Sequence, residues 1–219
     1  MAATSPEDIL LQKIFHIAFF AAMALAPAAH GSVFTLTVDG CSNNSCGSGP
    51  FGSITVVQGI NLNTVNITET LVAGEIFANS GAGDALGYTL DKTATLVAGS
   101  LTTGFTASGS DKFSTFGTFA STILCSGCGN GTSAPQLSGP VSFSLFSATG
   151  LTPQDFIKNQ NGFYFAADIG VPTGGGMFAT GNVASAGAAT APEPGTWLTL
   201  LSGFGLCGAG LRKRFFAQS

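Results

Sequence analysis

Four of the five cysteines stand in two closely spaced pairs, Cys41-Ser-Asn-Asn-Ser-Cys46 and Cys125-Ser-Gly-Cys128. Thiols in that pattern support three chemistries: local disulfides, a dithiol redox couple at the C-x-x-C, or a four-thiolate zinc centre if the pairs converge. A redox C-x-x-C opens a helix in a βαβ setting, whereas Cys125 and Cys128 lie among Gly and Ser. Zinc would need two pairs far apart in sequence to meet. Among the carboxylates, Asp84 in Gly81-Ala82-Gly83-Asp84 and Asp168 are best placed for a calcium or hydrogen-bonding role. No D-x-D-x-D-G array surrounds them, so turn capping is the expected use, and neither a metal nor a cofactor is expected.

The residue types that are missing exclude more. Between residues 32 and 191 there is no Arg, Trp or His, and the cations Lys92, Lys112 and Lys158 face eight acidic residues. Without His there is no Ser-His-Asp or Cys-His site and no His-liganded zinc. Without Arg there is no bidentate clamp for phosphate or carboxylate. No spacing pairs two carboxylates for glycoside hydrolysis. The 219 residues carry a net charge of −4 with no basic patch, which speaks against nucleic acid as a partner. A non-catalytic protein is expected. Tyr88 and Tyr164 are the aromatics able to face a sugar, although a body without Trp is a poor stacking platform.

The two ends carry the clearest signals. Residues 14–25 (IFHIAFFAAMAL) form an apolar run after Lys13, and the small residues Ala26-Pro27-Ala28 and Ala29-His30-Gly31 follow. That is the layout of an export signal over residues 1–31. Residues 197–211 (WLTLLSGFGLCGAGL) are uncharged and contain Cys207, and Arg212, Lys213 and Arg214 follow at once. As a helix at ~1.5 Å per residue this run reaches ~22 Å, enough to span a bilayer only marginally. Its basic end should stay cytoplasmic, which places everything before Pro192 across the membrane.

Pro192-Glu193-Pro194, an apolar segment and a basic tail together resemble the PEP-CTERM protein-sorting domain. The resemblance covers residues 192–219. It implies recognition by exosortase, a membrane-embedded cysteine-protease-like enzyme of Gram-negative bacteria that make exopolysaccharide. It also implies transient membrane anchoring, processing near the Pro-Glu-Pro, and release or attachment at the cell surface. The implied partners are exosortase, the export machinery, the membrane and exopolysaccharide. Physically, two prolines keep the recognition segment extended and outside the helix. Asp39-Gly40-Cys41, Cys46-Gly47, Gly49-Pro50-Phe51-Gly52 and Phe165-Ala166-Ala167-Asp168-Ile169 look like a body that recurs in uncharacterised PEP-CTERM proteins, a likeness that implies no activity.

An exported chain reaches an oxidising compartment, where an even number of cysteines reads first as disulfides. Four cysteines allow three pairings, and the local one, Cys41–Cys46 with Cys125–Cys128, is expected.

Between the ends, period-two alternation dominates. Phe34, Leu36 and Val38 oppose Thr35, Thr37 and Asp39; Val141, Phe143 and Leu145 oppose Ser142 and Ser144; Phe163, Phe165, Ala167 and Ile169 oppose Tyr164, Ala166 and Asp168. Such patterns mark half-buried strands. Further strands are expected over 53–57, 62–72, 75–79, 86–90, 94–98, 102–107 and 112–122. One short helical turn is expected, with Thr152 as N-cap and Pro153 in first position. Many short strands without crossover helices imply an all-β, antiparallel β-sandwich or jelly-roll-like body over 32–180. Residues 181–191, small and polar, read as a flexible linker. The expected function is an exported, non-catalytic surface or matrix protein; the alternative is a secreted carbohydrate-binding module of β-sandwich fold.

Overall fold

Strands that alternate apolar with polar side chains have one face to hide, and stacking two sheets hides both. The computed structural model describes residues 31–80, 84–128, 137–187 and 189–190. One six-stranded sheet runs in the order β15 (Ala189–Thr190), β1 (Gly31–Leu36), β3 (Gly52–Gln58), β4 (Thr64–Leu71), β12 (Val141–Phe146) and β7 (Thr95–Leu96). The second runs β2 (Val38–Asp39), β14 (Met177–Ser185), β13 (Phe165–Gly174), β6 (Asp84–Tyr88), β11 (Ser121–Cys125) and β8 (Phe105–Ser108), with β5 (Ile76–Phe77) also pairing β13. Strands β9 (Asp111–Phe113) and β10 (Gly117–Phe119) form a separate hairpin. Every pairing is antiparallel, as the absence of crossover helices requires.

The main core lies between the two large sheets. Phe34, Ile54, Ile67 and Phe143 from the first meet Leu86, Ile123, Phe165 and Ile169 from the second. Phe34 packs on Phe165 at a ring separation of 4.7 Å, and Tyr88 on Phe143 at 5.9 Å. The β12 edge is stitched by hydroxyls rather than charges: Ser100 Oγ and Thr102 Oγ1 accept from the backbone of Ser144 (3.0 Å) and Ser142 (2.9 Å). A chain poor in Lys and Glu thereby satisfies backbone groups that an open edge would offer to other strands.

Three expectations are corrected. Residues 112–122 are not one strand, because Gly117, at φ 86°, closes a turn at 114–116 and folds β9 back on β10. Half-buried alternation fails in β13, where Phe165 to Gly170 are buried on both faces. The reason is the hairpin, whose Phe113, Phe116 and Phe119 cover Ala166 and Ala184 on the outer side and form a second small core. Gly87 makes room for it, since a Cβ there would run into the Phe113 ring. Of the linker expected over 181–191, Gly181 to Ser185 instead complete β14 and Ala189–Thr190 is β15. Small residues are used there for close packing, not for flexibility: a Cβ on Gly181 would lie 2.8 Å from Cys41 Sγ. The turn at Pro153–Asp155 forms as expected, with Thr152 N and Oγ1 both donating to Asp155 Oδ2 (2.7 and 3.1 Å).

Candidate functional site

Both cysteine pairs close locally, Cys41 with Cys46 and Cys125 with Cys128, at Cα separations of 5.8 and 5.3 Å. The first ring wraps a tight turn in which Asn43 and Asn44 take positive φ (57° and 54°), a conformation Asn tolerates. Asp39 holds the ring from outside, its Oδ1 accepting from Cys41 N (2.7 Å) and its Oδ2 from Gly47 N (3.1 Å). Asp39, Cys41 and Cys46 bring ligand-type atoms within 4.8 Å of one another, but the two sulfurs are bonded to each other and offer no thiolate. The second ring ties the end of β11 to the turn after it, where Ser126 Oγ donates to Gly104 O (3.0 Å).

The β9–β10 hairpin dominates the outer face of the second sheet. Asn159 latches its turn, with Nδ2 donating to Phe116 O (2.8 Å) and Thr118 O (3.3 Å). Oδ1 of the same residue accepts from Asn161 N (3.0 Å) and Phe163 N (3.1 Å), so its hydrogen-bonding capacity is used in full. On the other flank Ser114 Oγ donates to Asn182 Oδ1 (3.1 Å), while the buried Nδ2 of Asn182 has no acceptor among the described residues.

Beside the hairpin the fold gathers acidic residues that the sequence leaves far apart. Asp168 on β13 is fully buried and accepts from Ser80 N and Ser80 Oγ, each at 2.6 Å, which is the hydrogen-bonding role expected of it. Asp84, expected to cap a turn, instead opens β6 and is 1 % exposed, with Oδ2 unpartnered among the described residues. Burial pushes its pKa up to about 6, and the nearby carboxylates of Asp111 and Asp168 add to the rise. Asp111 enters this group from the hairpin. Its approach to Asp84 is not legible in the sequence, where residues 112–122 read as one continuous strand and Asp111 falls just before it.

Two hollows flank the hairpin and share Lys112 and Ser114. The first, about 600 Å³, is also lined by Gly40, Ser80 and Asn182. The second, about 820 Å³, is lined by Lys158, Asn159, Asn161, Thr118 and Ser110. Among the described residues neither has an Asp or Glu in its lining. Lys158 Nζ lies 5.4 Å over the Tyr164 ring, which itself packs on Phe34. Tyr88, the other aromatic proposed to face a sugar, is instead buried in the main core and excluded from any binding surface.

The sorting residues Pro192, Glu193, Pro194, Arg212, Lys213 and Arg214, the signal segment and Cys207 lie outside the described residues. Among the described residues no helix is long and apolar enough to cross a membrane. Compared with known proteins, the chain matches no family model, no curated protein and no solved structure.

Proposed function

We propose that this chain is an exported, non-catalytic cell-surface or matrix protein, delivered through a C-terminal signal that resembles the PEP-CTERM sorting domain. In this reading residues 1–31 form a signal helix, and 192–219 form a transient transmembrane helix with a basic cytoplasmic tail, processed by exosortase. The observation that carries it is the order Pro192-Glu193-Pro194, uncharged apolar segment, Arg212-Lys213-Arg214. Two closed disulfides support it, since such bonds persist in oxidising compartments and are rare in the cytosol. The lack of His and Arg between residues 32 and 191 supports a non-catalytic role in the exopolysaccharide layer.

The test is fractionation of the native host with identification of both termini of the recovered protein. Mature ends near residue 31 and near Pro192 are expected, and deleting residues 192–219 should turn membrane-dependent processing into free release. Cytosolic material with both ends intact, or unchanged processing after the deletion, overturns the proposal.

A second reading, a secreted carbohydrate-binding module, is favoured by one observation: the polar hollows beside β9 hold lysines without carboxylate partners among the described residues.

A further inference from the structure

We propose that the two hollows flanking β9 form one groove that binds an acidic glycan, a sugar polymer whose carboxylates pair with Lys112 and Lys158. The proposal deepens the carbohydrate-binding reading and rests on it.

The charges between residues 32 and 191 are distributed unequally. Of the three lysines there, Lys92 is committed to Asp155 at 2.9 Å, the one ion pair among the described residues. The other two, Lys112 and Lys158, both line the second hollow, and Lys112 lines the first as well. A protein of net charge −4 repels a polyanion over most of its surface. Among the described residues the groove walls carry ammonium groups and no carboxylate, whereas Asp84 and Asp168 lie buried behind them.

Lys158, although exposed, rests over the Tyr164 ring, so part of its ordering precedes binding. The rest of the lining is hydroxyl and amide: Ser110, Ser114, Thr118 and Asn161 offer the donors and acceptors that sugar hydroxyls need. Two point charges with neutral polar groups between them suit spaced carboxylates along a chain. A single phosphate would be better held by the Arg fork that residues 32–191 lack.

The test uses the full chain, purified in non-ionic detergent, titrated with polygalacturonate, neutral dextran and inorganic phosphate. Saturable binding to polygalacturonate is expected, weakened by added salt and absent with dextran. Lys112→Gln and Lys158→Gln should each weaken it about tenfold, while Lys92→Gln, outside the groove, leaves it unchanged. Lys112 and Lys158 are solvent-exposed, so their variants should keep the parental melting temperature, and that is checked alongside. No binding to polygalacturonate, equal binding to dextran, or unchanged affinity in the folded double variant overturns the proposal. So does displacement of the polymer by phosphate at matching charge concentration, which would reduce the groove to a general anion site. Because the purified chain is assayed, a failure here leaves sorting untouched, and a failure of sorting leaves this measurement standing.

Discussion

Glu69 stands directly opposite Val141 across the β4–β12 pair, with Ile54 opposite it on the other side across β3–β4. Its side chain therefore occupies a row of aliphatic residues in a core position. Both carboxyl oxygens are buried and have no hydrogen-bond partner among the described residues. An ionised carboxylate there would lack water and counter-ion alike, so burial holds its pKa well above the ordinary 4.5.

This makes stability fall with rising pH. Burial also raises Glu75 to about 7, against a smaller lowering effect from the Val72 backbone, and raises Asp84 to about 6. Above their ordinary values the unfolded chain has released these protons while the folded chain still holds them, so each unit of pH favours unfolding. Asp155 has the opposite sign: burial raises it, but hydrogen bonds from Lys92 and Thr152 outweigh that and hold it below 3.8, so its contribution is lost only in strong acid. Urea denaturation across the acidic to neutral range should therefore show the highest midpoint on the acid side and a decline through pH 7. Glu69→Leu should flatten that decline and add roughly 1–3 kcal/mol at neutral pH, by removing a buried group without a partner. A midpoint that rises with pH, or a Glu69→Leu protein weaker than the parent at neutral pH, would contradict this account.

The disulfides give a second prediction. Cys41 packs against β14, where a Cβ on Gly181 would meet its Sγ, Cα and Cβ, and Cys46 Sγ lies 3.8 Å from Ala179 O. Digestion without reduction should yield a peptide linking Cys41 to Cys46 and another linking Cys125 to Cys128. Replacing Cys125 and Cys128 together with Ala should cost about 2 kcal/mol in denaturant titration, the loop entropy of a small ring. Free thiols at either pair, or cross-linking between the pairs, would refute the assignment.

The sequence makes the sandwich legible because Thr, Val, Ile and Phe alternate so regularly in β1, β4 and β12. It conceals the third layer. Residues 165–170 carry Phe, Ala and Ile at alternate positions, yet Ala166 and Asp168 on the opposite face are also buried, Ala166 under a hairpin distant in sequence and Asp168 against Ser80. Alternation reports one buried face and is blind to a cover supplied from elsewhere in the chain. The Gly- and Ala-rich stretch after residue 180 misleads for a related reason: small side chains serve close packing and flexible linkers equally well, and only the neighbours, here Cys41, distinguish the two. The local features, both cysteine rings and the Thr152–Pro153 cap, are legible because their partners lie within a few residues. The grouping of Asp84, Asp111 and Asp168 is not, since it arises from β6 lying beside β13 and from the packing of a separate hairpin on that sheet.

The last prediction concerns how the hairpin is held. Its apolar attachment is small, three phenylalanines on Ala166 and Ala184, with Phe113 and Phe119 in edge-to-face contact at 5.3 Å. The polar attachment is concentrated in Asn159, which bridges the hairpin turn to the 159–163 loop, with the Ser114–Asn182 bond on the other flank. Asn159→Ala removes both donors to Phe116 O and Thr118 O and strands the Asn161 and Phe163 amides. The Phe116 carbonyl, left buried without a partner, costs about 1–3 kcal/mol, so the variant should lose more than an ordinary surface substitution. The loss should also be local. Hydrogen exchange should accelerate at residues 111–119 while the β3–β4 and β4–β12 ladders keep their protection, because the main core is a separate cluster. If protection falls equally across both large sheets, the hairpin is part of one cooperative unit and Asn159 is not a local latch; if nothing changes, the turn is held by the phenylalanines and the Ser114–Asn182 bond without it.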